Sequence, residues 1–350
     1  MNKITYALLI TLTLFCLTQT RADTTLKQEL SACKNKLVCE GYENGNWDLF
    51  IMNADGSKLK NLTNTPKVNE LFPHVSPNGK MVLFLVDSGE GRQKVRSAWV
   101  MSIDGKVRKK IADYARQPFW SPDSKTIVYL PQEYKKFDPR SLANKGMVFY
   151  DIATGKKKNH PNAENIFHLF NPSFSPDGKW IISTVHAGMG LKHGNLLIEA
   201  NGNRIIDLHM KGCRPDFSPD GKYIAWGRTD HLLLVVPFID GENPHIGKPI
   251  FSIKDKKNKV YHIDWAPNGK WVAISRGPSS KGDRTKPGTV IHAAETVGVY
   301  AAKWNLFVIR IPKEHGKTLD FQKPNDGSWV KITTKGSSYK EPDWVPLKAK

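Results

Sequence analysis

A short phrase returns five times along this 350-residue chain: an aromatic or apolar residue, Ser or Ala, Pro, Asp or Asn, Gly or Ser, Lys. It reads VSPNGK at Val75–Lys80, WSPDSK at Trp120–Lys125, FSPDGK at Phe174–Lys179 and at Phe217–Lys222, and WAPNGK at Trp265–Lys270. A truncated sixth copy, DWVP, stands at Asp343–Pro346. The copies are roughly 43–54 residues apart, with one longer gap before the last. Self-similarity at such a period means that one supersecondary unit is stacked into an array.

Each copy has the chemistry of a tight turn. Pro fixes φ for the first corner position, Asp or Asn follows, and Gly accepts a positive φ. Pro77, Gly79, Pro122, Pro176, Gly178, Pro219, Gly221, Pro267 and Gly269 are therefore expected to be structural turn residues. A β-rich run follows the phrase, as in Met81–Val86 and Trp180–Val185, and a third run comes next, as in Leu232–Val236 and Leu306–Ile311. Second turn signals (Asn53-Ala54-Asp55-Gly56, Ile103-Asp104-Gly105, Ala153-Thr154-Gly155) lead into a weaker fourth run. Four strands per unit without helical periodicity predict an all-β array, and four-stranded units of this length are propeller blades.

Six inner strands can be counted, one before each phrase, and the last, Glu341–Trp344, is followed only by a basic tail. The N-terminal runs Lys36–Tyr42, Trp47–Met52 and Leu59–Leu62 supply the three strands it lacks. The expectation is a six-bladed β-propeller whose ring is closed by N-terminal strands joining a C-terminal inner strand, which removes open sheet edges. The corresponding partition is a signal peptide over 1–22, an N-terminal segment over 23–35, the propeller over 36–346 with a blade insertion at 277–303, and a tail over 347–350.

The run Asp48–Gly56, then Asn61-Leu62-Thr63, then Ser-Pro-Asp-Gly-Lys resembles the WD40-like (PD40) repeat of TolB-type β-propellers. The resemblance covers nearly all of the chain after residue 22. It implies a six-bladed propeller without the separate N-terminal α/β domain of TolB.

Residues 1–22 read as a secretory signal: Lys3 gives a positive start, Tyr6–Leu17 an apolar stretch, and Thr20-Arg21-Ala22 a cleavage site. An exported protein, periplasmic or secreted, is expected, with no membrane-spanning segment after the signal. The formal net charge is +19. On an exported chain this surplus points to an anionic polymer or polysaccharide partner, or to Lys runs such as Lys156–Lys158 that decorate turns. No recognition helix or RNA-binding motif is present, so no nucleic-acid partner is expected. A closed ring needs no partner to hide its edges, and a monomer is expected. Cys33 and Cys39 are close enough in sequence to pair as a disulfide in an oxidising compartment, leaving Cys213 over.

The phrase corners and the second turns share one face of the propeller and look uniform and structural. The opposite face carries varied connections: Asp87–Lys94, Pro131–Lys145, His186–His193 and the long Gly277–Lys303 insertion. Variable loops on a rigid scaffold are where function is expected. The candidate binding residues there and near the channel are His186, His193, His262, His292, Glu295, Tyr300 and Trp304. On the inner strands, residues two apart share a face. His74, Phe119, Ser173, Asp216, Asp264 and Asp343 precede the aromatic of each phrase, and Phe72, Gln117, Asn171, Arg214, His262 and Glu341 stand two positions earlier. If these line the channel, Asp216, Asp264, Asp343 and Glu341 form an acidic cluster. It holds a divalent cation through oxygen ligands, or its side chains cap turns and backbone amides.

Two functions fit. The first is a non-catalytic binding or scaffold propeller that contacts a protein or anionic polymer and needs no cofactor. The alternative is a metal-dependent polysaccharide lyase acting on acidic oligosaccharides, since the oligogalacturonide lyases are built from similar repeats. A propeller attached to a prolyl-oligopeptidase-type hydrolase is excluded by the absence of a GxSxG nucleophile elbow.

Overall fold

In the computed structural model, residues 25–90, 93–136, 143–278, 303–333 and 338–347 are described. They form six sheets arranged as the blades of a propeller. The inner strands of blades 1 to 5 are Asn69–Val75, Ala115–Trp120, Leu169–Phe174, Cys213–Phe217 and Asn258–Trp265. Each is followed outward by antiparallel neighbours in chain order. Blade 6 closes the ring. Its inner strand Ser338–Val345 pairs with Lys36–Glu43, which pairs with Asn46–Asn53 and then Lys60–Asn61. Three strands from one chain end and one from the other make this blade, as the strand count predicts.

The phrase folds as expected, and its hydroxyl and carboxylate explain why. In VSPNGK, the Ser76 hydroxyl donates to Asn78 Oδ1 at 2.8 Å, while Oδ1 accepts from the Lys80 amide at 3.0 Å. Ser121 with Asp123, Ser175 with Asp177 and Ser218 with Asp220 repeat the arrangement. The fourth corner position is left-handed in all five copies, with Gly in four and Ser124 (φ 61°) in one.

Every inner strand also carries a β-bulge. Phe72, Gln117, Asn171, Arg214, His262 and Glu341 all have φ between 45° and 61°. The ladder slips by one residue beside each of them in blades 1 to 5. In five of the six the next residue is Pro, which has no amide to lose where a bulge interrupts the ladder. Side chains of the neighbouring blade satisfy the bulge amides. Phe72 N donates to Glu40, Asn171 N to Gln117, Arg214 N to Thr184 and Glu341 N to Ser275. The bulges thus stitch blade to blade.

Two features were not anticipated. Blade 4 becomes a six-stranded sheet: the short strand His245–Ile246 pairs with Leu232–Ile239, and Lys317–Asp320 returns from blade 5 and pairs parallel to Phe251–Lys254. A helix, Leu26–Ala32, precedes the first strand and buries Leu26 and Leu30 against Cys39, Met52, Trp271 and Trp344. Thr25 and Gln28 form its capping box. Glu29 reaches Arg310 at 2.9 Å. Thr25→Ala is expected to cost the docked helix about 1 kcal/mol. Amide exchange over residues 26–32 should accelerate while the global melt barely moves. Unchanged exchange there would show that packing alone holds the helix.

The expected Cys33–Cys39 disulfide is not formed; both thiols are free, as is Cys213. Cys39 lies on a strand and faces the buried cluster beneath the helix. The Cys33 thiol sits at the helix C-terminus and donates to Asn35 Oδ1 at 3.3 Å. Hydrophobic packing therefore does the tethering that the disulfide was expected to do. No helix among the described residues is long and apolar enough to cross a membrane. The expected signal, residues 1–22, lies outside the described residues.

Candidate functional site

The inner strands surround a cavity of 460 Å³. Its rim is a ring of prolines from the six phrases: Pro77, Pro122, Pro176, Pro219, Pro267 and Pro346. Below the rim stand His74, Phe119, Ser173, Asp216, Asp264 and Asp343, one per blade. Deeper lie Asn171, Arg214, His262 and Glu341, four of the six bulge residues. The space is a funnel at the phrase-corner face. This corrects the expectation that the uniform face is only structural. Each corner is unremarkable alone, and the ring of six makes the mouth.

The wall is asymmetric. Blades 4, 5 and 6 contribute Asp216, Asp264 and Asp343 in succession, and blade 1 adds His74. Asp343 Oδ1 accepts the Val75 amide at 3.0 Å, and Oδ2 lies 3.2 Å from His74 Nδ1. Asp264 Oδ2 accepts the Trp344 amide at 2.8 Å. The acids therefore tie blades together as well as line the cavity. Burial and the charge of Asp343 raise the Asp216 carboxyl to about 7. Burial and the charges of Asp343 and Asp216 push Asp264 well above the usual carboxylate range. Burial alone would lower His74, but the Asp343 carboxylate wins and raises it.

The floor is an ion cluster. Glu341 Oε1 is 3.1 Å from Arg214 Nη1 and 3.0 Å from His262 Nε2. Burial opposes the Glu341 charge, yet Arg214 and His262 outweigh it and hold the carboxyl below its ordinary value. Burial lowers His262 to about 3 against the opposing pull of Glu341. The Arg214 guanidinium also stacks over Phe170 at 4.9 Å.

The predicted site residues separate. Asp216, Asp264 and Asp343 share the wall, while Glu341 turns to Arg214 and His262. Among the described residues no three His, Cys, Asp or Glu side chains gather in a way that could hold a metal ion. His262 lies in the floor. His186 and His193 are exposed together on a hairpin of blade 3 at the opposite face, with Nδ1 atoms 3.1 Å apart. Trp304 is a core residue: it is 1% exposed and packs against Tyr261 and Gly277. A Cβ at Gly277 would stand 2.4 Å from its ring, so only glycine fits there. His292, Glu295 and Tyr300, with most of the 277–303 insertion, lie outside the described residues. The inner-strand positions place His74, Ser173 and Arg214 beside the channel, and sequence reasoning did not pick them out from the other lining positions as binding residues. The signal was there, in the X-Pro pair that precedes the phrase in five copies.

Six closed blades around a lined axial funnel define a six-bladed β-propeller. Residues 247–285 match the family described as WD domain, G-beta repeat. The Tol-Pal system protein TolB of Nitrosococcus oceani is 35% identical over 83 residues, a match that takes in 23% of this chain and 18% of that protein. Among solved structures, TolB from Acinetobacter baumannii superposes with a TM-score of 0.58 at 17% identity, covering 89% of this chain and 67% of that one. The hydrazine synthase of Kuenenia stuttgartiensis superposes at 0.54 and 12% identity, covering 93% and 49%. At these identities the structural likeness is one of fold. The chain is a six-bladed β-propeller whose fold is similar to that of TolB.

Proposed function

We propose that this protein is an exported, non-catalytic binding propeller that receives a segment of a protein partner in its proline-rimmed funnel. The observation that carries the reading is the acid wall: Asp216, Asp264 and Asp343 side by side in a 460 Å³ cavity, on a chain of net charge +19. Acidic groups gathered in the cavity of a basic protein focus a negative potential there. A Lys or Arg side chain entering between the prolines would meet three aspartic carboxyl groups on one side and the Phe119 ring on the other. The TolB-like fold supports a scaffold role, and the signal-like residues 1–22 support export. The basic outer surface is suited to anionic polymer, but the funnel is not.

Selection of random peptides displayed on phage against the purified protein tests this. Enriched peptides should carry Lys or Arg, and Asp264→Asn should reduce their binding by about 10-fold, the loss of one charge-assisted contact. Peptides without basic residues, or equal binding to the variant, would overturn the reading.

A further inference from the structure

At the face opposite the funnel, blade 3 ends in a hairpin formed by Trp180–Gly188 and Leu191–Glu199. The sequence HAGMGLKH reads as a loop, but the strands run on to a two-residue turn at Met189-Gly190, both with positive φ (54° and 78°). Such a turn matches the twist of its strands and holds them rigidly in register. That register places His186 directly opposite His193. Their rings are close to perpendicular, at 78°, with Nδ1 to Nδ1 at 3.1 Å.

The tautomers follow from the partners. His193 Nε2 lies 3.0 Å from the Gly212 carbonyl oxygen, which can only accept, so Nε2 carries the proton. Neutral His193 therefore presents a lone pair at Nδ1, and His186 must supply the proton of the contact. A backbone carbonyl that fixes one imidazole nitrogen and frees the other is the usual outer partner of a metal-ligating histidine. The spacing fits as well. Two nitrogens bound at 2.0–2.1 Å to one ion are about 2.9 Å apart at a right angle and about 3.3 Å apart at a tetrahedral angle. The observed 3.1 Å falls between these values. Nearby His168 is committed elsewhere, with Nδ1 on the Ala187 carbonyl at 2.8 Å and Nε2 3.3 Å from Glu133.

We propose that His186 and His193 form a bidentate chelate for a late first-row divalent cation, copper(II) the tightest, with water completing the coordination. Imidazole suits copper, nickel and zinc, and affinity in this series peaks at copper. Binding needs one proton moved: His186 passes its Nδ1 proton to solvent and takes one at the exposed Nε2, so both rings stay neutral. The two lone pairs then converge after a small rotation of each ring. Ligands on paired strands hold such geometry better than ligands on a loop.

The test is titration of copper(II) chloride into the purified, tag-free protein, followed by calorimetry and electron paramagnetic resonance. One equivalent should bind with hyperfine structure from two nitrogens. His186→Ala and His193→Ala should each weaken that equivalent by at least about 10-fold. His245→Ala, at the other face, should leave it unchanged. The hairpin is exposed, so the variants should melt with the parent. The proposal is overturned if either alanine variant binds copper as the parent does, or if the spectrum shows a single nitrogen; the contact would then be only a hydrogen-bonded pair.

Discussion

Lys340→Met is expected to destabilise the protein by about 3–5 kcal/mol, the range for stripping one partner from a buried ion pair. Lys340 lies on the C-terminal inner strand, and its Nζ is 3.0 Å from Glu40 Oε1 on the N-terminal strand beside it. Both side chains are almost fully buried, at 0% and 1% exposure. Glu40 Oε2 also accepts the amide of Phe72 in blade 1 at 2.9 Å, and the Lys340 ammonium rests 4.7 Å above the Trp47 ring. One pair therefore joins the two chain ends to the next blade at the seam of the ring. Burial already raises the Glu40 carboxyl, with Lys340 opposing. Without the ammonium it keeps only the Phe72 amide, and taking up a proton recovers part of the loss. Urea unfolding measures the effect. Adding Glu40→Gln to Lys340→Met should restore more than half of the loss, because no charge is then left buried. A single variant within 1 kcal/mol of the parent would show that strand pairing alone holds the seam.

The seam was legible because strand counting is local: six phrases need six blades, and the last phrase lacks three strands that Lys36–Leu62 supplies. The corners were legible for the same reason, since Pro, Asp and Gly act through their own backbone. The bulges were not. Phe72, Gln117, Arg214 and Glu341 are poor residues for a positive φ, and acceptors on the adjacent blade stabilise several of these bulges. Only Asn171 and His262 advertise the conformation. The added parallel strand of blade 4, Lys317–Asp320, was hidden because its pairing is parallel and crosses between blades. The acid wall could be listed from the inner-strand positions. Its mouth could not be placed, since six ordinary corners become a rim only when the ring closes. Trp304 looked like a surface aromatic because it ends a long insertion, and the glycine that receives its ring lies across the hairpin at Gly277.

The double substitution Asp216→Asn/Asp264→Asn is expected to stabilise the protein by about 2–4 kcal/mol at pH 8 and hardly at all at pH 4. Both carboxyls hold their protons more tightly in the folded ring than in the unfolded chain: Asp216 to about 7, Asp264 well above its ordinary value. Such groups add stability that is complete below about pH 4, where unfolded aspartate is protonated too, and is lost as pH rises, through about 7 for Asp216. At higher pH the fold must either carry buried charge or hold protons that the unfolded chain has released, and Asn removes that cost while keeping an oxygen to accept the Trp344 amide. Glu341 runs the other way: its carboxyl is held down by Arg214 and His262, so its contribution is present at neutral pH and fades as acid protonates it. It is common to parent and variant and cancels in the difference. Unfolding in urea at the two pH values measures the effect, and a gain that is the same at both would rule out charge repulsion as its source. The same variant should lose the basic peptides selected on the parent. Charges kept together at a cost to stability are the pattern of a site shaped for a ligand, and a cationic side chain entering the funnel would neutralise the repulsion. Bound peptide should therefore stabilise the parent more at pH 8 than at pH 4, where the wall is already protonated. The reverse order would separate the acid wall from binding.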